Sequence, residues 1–172
     1  MSLTIYRAAA PLDARALEVL LARLMREQQQ RYPGAYPTFP PDAAAAAIAA
    51  GYAPRLGSDP RLVAVLAVDR APVGCLVGEV VTRPVGRPAT VCFVEWFFVE
   101  PDLRGHGVGR ALVRAGLRVL AACDVTHIEC QSVPGDRQWQ RRGWTETARR
   151  YVAPFADVAQ WVDLEELDNV PG

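Results

Sequence analysis

The chain has 172 residues and 18.8 kDa, with 19 basic and 19 acidic side chains and no formal net charge. That length suits one domain of roughly 100–200 residues, which builds its core without a disulfide or metal staple. Every basic residue is Arg, which excludes Schiff-base chemistry on Lys and a P-loop Lys, and the neutral balance argues against a general nucleic-acid binder.

Residues 2–7 read as a short strand. Residues 12–30 follow as a helix, with apolar side chains at Leu17, Leu20, Leu21, Leu24 and Met25 and Asp13 as the expected N-cap. Four prolines and a glycine make residues 31–42 a loop. Asp42 is the expected cap of an Ala-rich helix over 43–51, and 52–60 reads as another loop. Residues 62–68 are a continuous apolar run of strand length. A turn at Ala71-Pro72, a strand over 73–82, a turn over 83–88 and a strand over 89–99 complete an antiparallel meander. Residues 108–123 are helical, with Val108, Leu112, Ala115, Val119 and Ala122 on one stripe. A strand over 126–130, a short helix over 135–142 and strands over 144–152 and 159–166 close the chain. The order predicts an α/β fold: one mixed, mostly antiparallel sheet flanked by helices, in a single domain spanning 1–172.

No apolar run approaches the ~20 residues of a membrane span. The first residues show no basic segment followed by an apolar stretch, so a cytoplasmic protein is expected. Cys75, Cys92, Cys123 and Cys130 form no C-x-x-C pair and read as free thiols, with no metal site.

The most informative stretch joins the third meander strand to the next helix. There Phe97, Phe98 and Val99 lead through Pro101 to Arg104-Gly105-His106-Gly107-Val108-Gly109-Arg110. Glycine admits φ > 0 and lets a ligand approach the backbone. The unsatisfied N–H groups and dipole of a helix start form an anion site. Arg104 and Arg110 add positive charge beside it. The pattern supports phosphate binding as much as it supports a turn that merely redirects the chain. It is neither G-x-G-x-x-G nor a P-loop.

Val99-x-Pro101-x-x-Arg104-Gly105-x-Gly107-x-Gly109 resembles the acyl-CoA-binding motif of the GNAT superfamily of N-acetyltransferases, and the element order is similar over nearly the whole chain. The resemblance implies acetyl-CoA as co-substrate. Backbone N–H groups from Arg104, Gly105, His106, Gly107, Val108 and Gly109 would hold its pyrophosphate. The backbone of Phe97, Phe98 and Val99 would pair with the pantetheine arm, and a bulge near Phe98 and Val99 would aim an N–H at the thioester carbonyl. Ser132 stands where the family often has an Asn that contacts the same arm. One or two of Arg110, Arg114, Arg118, Arg137, Arg141 and Arg142 would grip the 3′-phosphate, the rest forming a solvated face.

Acyl transfer to an amine benefits from a base, because an alkylamine is protonated near neutral pH. Glu95 lies four residues before Val99, on the same strand face by alternation, among apolar and aromatic neighbours. An acidic residue in this part of the strand often serves as base in the family; the alternative is a carboxylate paired with Arg on an exposed face. His106 and His127 are not assigned as bases. Trp139 stands where the family often has the Tyr that protonates the departing thiolate, and an indole N–H is no acid near neutral pH. Tyr32, Tyr36 and Phe39 in the Pro-rich loop are the expected acceptor wall, unless they serve only loop packing. Glu79 is a candidate partner for an acceptor ammonium, or else a solvated sheet residue. The resemblance thus implies an N-acetyltransferase that acts on a primary amine of a small molecule or peptide by direct transfer, without a membrane or nucleic-acid partner. The family often pairs subunits, which makes a homodimer one expectation. The alternative is a catalytically weak CoA-binding sensor or partner-binding module, which Trp139 favours.

Overall fold

The computed structural model describes residues 5–32, 40–83, 89–131, 145–147 and 150–154. Its strands are β1 (Ile5–Ala8), β2 (Leu62–Asp69), β3 (Ala71–Arg83), β4 (Ala89–Val99), β5 (His127–Gln131), β6 (Thr145–Thr147) and β7 (Arg150–Pro154). Its helices are α1 (Ala14–Arg31), α2 (Pro41–Tyr52) and α3 (Val108–Leu120), with 3-10 turns at Pro11–Asp13 and Pro101–Leu103. The strands form one sheet in the order β1-β2-β3-β4-β5-β7-β6. Every neighbouring pair is antiparallel except β4–β5. A parallel pair needs a crossover, and α3 supplies it.

The two faces of the sheet bury different helices. Val63, Val65, Leu76, Cys92 and Val99 pack with Val108, Leu112, Leu117 and Leu120 of α3. On the opposite face Leu62, Leu66, Cys75, Val77 and Phe98 pack with Leu17, Leu20 and Leu24 of α1 and Tyr52 of α2. The α3 stripe runs through Val108, Leu112, Gly116, Leu117 and Leu120, whereas Ala122 lies beyond the helix and is exposed. Ala115 and Val119, expected on the stripe, are partly buried at its flank.

Several local expectations change. Asp13 occupies the N-cap position of α1 without capping it. Its carboxylate instead accepts from the Ala10 N–H at 2.8 Å and pairs with Arg7 at 2.6 Å. The N-cap of α2 is Pro40; Asp42 sits in the first turn and pairs with Arg26. Tyr52, expected in a loop, is the last residue of α2. The β2–β3 turn lies one step earlier than Ala71-Pro72, with Arg70 in the left-handed region at φ +58°. Pro72 falls inside β3, beside a register shift between Ala67 and Val68 of β2, which is where a strand tolerates the missing donor. The segment expected as one strand over 144–152 contains two, β6 and β7, paired as a hairpin with Thr147 opposite Arg150. The helix expected over 135–142 and the strand over 159–166 lie outside the described residues.

Candidate active site

The glycine turn sits where β4 hands over to α3. Gly105 and Gly107 have φ of +81° and +86°, a conformation that strains any residue with a Cβ. A Cβ built on either would meet no atom of the other described residues within 4 Å, chain neighbours aside, so both are open on that side. Gly107 is the N-cap of α3, and its carbonyl accepts the first helical bond from the Ala111 N–H at 3.0 Å. The N–H groups of Val108 and Gly109 therefore have no acceptor within the helix. The Val108 side chain is buried in the core and anchors the helix start, so this residue has only backbone to offer a ligand. Gly109 has a different reason: a Cβ there would stand 3.2 Å from Phe97 Cζ, so its bareness lets the ring pack on the helix. His106 is exposed, with Nδ1 3.0 Å from the Arg104 carbonyl oxygen.

Arg104, expected as positive charge beside the anion site, has its guanidinium engaged within the protein. Its Nε donates to the Val99 carbonyl at 2.9 Å, and its two terminal nitrogens grip both oxygens of Glu27 at 2.7 and 2.5 Å. The guanidinium also lies 5.7 Å from the Phe98 ring centroid. Arg104 thus ties the loop to α1 and the end of β4. The hydrogen bonds from Arg104 hold the Glu27 carboxyl below its ordinary range. Arg110 is exposed in the first turn of α3.

Beside the loop, β4 outruns the described part of β5. Among the described residues their pairing runs from Val91–His127 to Val94–Cys130, while β4 continues to Val99 along β3. The Glu100 N–H donates to the Val73 carbonyl at 2.9 Å, on the β3 side. By alternation the main-chain groups of Phe97 and Val99 point the other way, along an edge that no described strand covers. Arg104 already occupies the Val99 carbonyl there.

The bulge falls at Glu95, three residues before its expected place at Phe98 and Val99. Val77 opposes Trp96 and Gly78 opposes Val94, which leaves Glu95 unpaired; Phe98 and Val99 oppose Cys75 and Gly74 in regular register. A bulge puts two consecutive side chains on one side of a strand. Glu95 and Trp96 accordingly both reach Tyr52 on the α1/α2 face, whereas Val99 packs towards α3. Simple alternation, which put Glu95 and Val99 on one face, fails for this reason. Tyr52 Oη donates to Glu95 Oε2 and accepts from the Trp96 indole N–H at 3.1 Å. Burial, and then the Glu95 carboxylate, push the Tyr52 phenol well above its ordinary value, so it stays protonated.

Glu79 is neither loose nor merely solvated, because Arg55, just beyond α2, pairs with its carboxylate and with Asp59. Tyr32 ends α1 partly buried, its N–H donating to the Gln28 carbonyl at 2.9 Å and its ring 5.5 Å from the Arg31 guanidinium carbon. Tyr36, Phe39, Ser132 and Trp139 lie outside the described residues. The four cysteines are free thiols, and burial pushes Cys75 and Cys92 up to about 12. Among the described residues no group of three or more potential metal ligands exists, and no helix is long and apolar enough to cross a membrane. Sequence reading missed Tyr52 and Glu27. Tyr52 had one signal, a lone large polar side chain closing an alanine run.

A mixed sheet with a parallel β4–β5 pair, whose β4 passes through a left-handed glycine turn into a helix N-terminus, is the GNAT acetyltransferase class of α/β fold. The model of the acetyltransferase (GNAT) family matches residues 21–144, and the chain belongs to that family. Its fold resembles that of a GNAT family acetyltransferase from Brucella melitensis solved with acetyl-CoA, at 18% identity and a TM-score of 0.62, covering 90% of each chain. A predicted acetyltransferase from Clostridium acetobutylicum, also solved with acetyl-CoA, gives 14% identity and a TM-score of 0.66 over 85% of this chain and 92% of that one. An aminoglycoside N-acetyltransferase in complex with CoA gives 20% identity and a TM-score of 0.61 over 87% and 92%. No curated protein matches the chain in sequence.

Proposed function

We propose that this protein transfers an acetyl group from acetyl-CoA directly to a primary amine of a small molecule or peptide. The observation that carries the reading is the pair Gly105 and Gly107, both left-handed and both clear of the described residues, beside an edge of β4 that no described strand covers. Relatives of this fold are solved with acetyl-CoA and CoA. In this reading the N–H groups of the glycine turn and the start of α3 hold the pyrophosphate, with Arg110 at the rim. The main chain of Phe97 and the Val99 N–H pair with the pantetheine arm like an added strand, and Ser132 contacts the same arm. Glu95 takes the proton of the attacking amine, directly or through water. The amine nitrogen forms a bond to the acetyl carbon, the carbon–sulfur bond breaks, and the thiolate leaves and takes a proton from solvent. Tyr32, Tyr36 and Phe39 form the acceptor wall. Glu79 meets an acceptor ammonium only by sharing its carboxylate with Arg55.

Calorimetry with acetyl-CoA, followed by thiol release against butylamine, 2-phenylethylamine and a dipeptide, tests this. Micromolar binding and amine-dependent CoA release are expected. Binding without release would favour the sensor or partner-binding module that Trp139 suggests; absence of binding would refute both.

A further inference from the structure

Tyr52 has no part in the chemistry just described, yet it is only 8% exposed and its hydroxyl is fully engaged. Apart from Ile48, which packs partly buried on the same clusters, the rest of the inner face of α2 is small. Ala45 and Ala49 are buried, and the helix lies close against α1. Tyr52 is the buried polar-tipped side chain of α2 in the sheet core with Phe98 and Val77. It arrives where the β4 bulge turns two consecutive residues towards it. Trp96 donates into the phenol oxygen, which fixes that oxygen and leaves its proton to point at Glu95. Glu95 is an exposed strand residue, which by itself would sample several rotamers. Among the described residues its partner is this phenol, and no cation lies on it. The charged groups on the surrounding elements are Glu79 of β3, held by Arg55, and Glu129 of β5, on the same face by alternation.

We propose that Tyr52 is a positioning residue, whose hydroxyl, fixed by the Trp96 indole, holds the Glu95 carboxylate in the orientation from which it takes the acceptor's proton. The inference rests on Glu95 being the base. It extends the site to a residue from the far end of α2 and gives the bulge a purpose: without it, Glu95 and Trp96 would lie on opposite faces and one phenol would not reach both.

The test is a double-mutant cycle over Tyr52→Phe and Glu95→Gln, read with acetyl-CoA and the best amine of the three-member panel. Tyr52→Phe should lower kcat about 10-fold, the loss of one hydrogen bond to a charged group, and leave KM for acetyl-CoA within twofold. In the Glu95→Gln background the same change should alter kcat less than twofold, because the phenol then has no carboxylate to hold. The Trp96 indole N–H resonance, assigned with Trp96→Phe, should move upfield in Tyr52→Phe, whether or not an amine of the panel is turned over. Losses that multiply in the double variant would mark a merely structural Tyr52 and overturn the proposal. So would an unmoved indole resonance, or wild-type kcat in Tyr52→Phe alongside an impaired Glu95→Gln. Wild-type kcat in Glu95→Gln would instead remove the base reading, and this inference with it.

Discussion

Gly107→Ala separates backbone strain from ligand binding. The residue sits at φ +86° and ψ −9°, and a Cβ there meets nothing within 4 Å among the other described residues. The substitution therefore carries a conformational cost and no steric one. Holding an L-residue in the left-handed region costs about 1–2 kcal/mol. The stiffer unfolded chain returns about 0.4–1 kcal/mol. A net loss of about 1 kcal/mol lowers Tm by about 2–4 °C for a chain of this size. If the chain escapes the strain by rotating φ to negative values, the amides around it swing away from a bound phosphate. Each N–H bond to a charged group contributes about 1.5–3 kcal/mol, so CoA affinity should fall about 10–100-fold. Gly51→Ala, in helical backbone with open space around it, is the control: it should stabilise by up to about 1 kcal/mol and leave CoA binding unchanged. Thermal melting and calorimetry with CoA read both quantities. Carbon chemical shifts at position 107 report which branch is taken, and a Gly107→Ala protein whose backbone there has left the left-handed region but binds CoA within twofold of wild type would refute the phosphate role of the turn and leave it a chain reversal.

Glu95→Gln should lower kcat by about 10²–10⁴ with little change in KM for acetyl-CoA; unchanged turnover across pH would reject the base. Arg104→Ala should destabilise by about 1 kcal/mol, and together with Glu27→Gln it should cost less than the two single losses summed, because the two side chains share one pair while Arg104 keeps its bond to the Val99 carbonyl; fully additive losses in urea titrations would contradict this. The Asp13 and Glu27 carboxyls are held low in the folded state by Arg7 and Arg104. As pH falls, the unfolded chain takes up these protons first, so both groups contribute stability above the ordinary carboxylate range of ~4 and lose it below. Melting at stepped pH should show that decline, steeper than in an Asp13→Asn, Glu27→Gln variant. With Cys75 and Cys92 buried and pushed up to about 12, a thiol reagent at pH 8 should label partly exposed Cys123 first; fast labelling of Cys75 or Cys92 would contradict the packing.

The sheet was legible because its strands carry their own signals. The continuous apolar run of β2 and the Val- and Phe-rich run of β4 need no tertiary information, and β4 was bounded at Ala89–Val99 from residue types alone. The glycine turn was legible because left-handed backbone selects glycine, and Gly105 and Gly107 both adopt it. Gly109 shows the limit of that logic: it belongs to the same motif but is bare to admit Phe97. The pairing of Arg104 was not legible for a related reason. Its charge is visible in the sequence, but its partner Glu27 is 77 positions away and on another element. Alternation failed at Glu95 because a bulge is a property of two strands, set by the register of Val77 and Gly78 against β4. Tyr52 was hidden by the same non-locality. Nothing within α2 shows that its last residue meets Glu95 and Trp96.

The central claim is that the turn from β4 into α3 is a phosphate cradle for CoA. Titrating the isotope-labelled protein with CoA while following its glycine amide resonances tests it most directly. Saturable shifts at Gly105, Gly107 and Gly109 at micromolar CoA, larger than at Gly51 and Gly57, are the expected result. Still resonances at the three loop glycines, under conditions where CoA binds elsewhere or not at all, would contradict it.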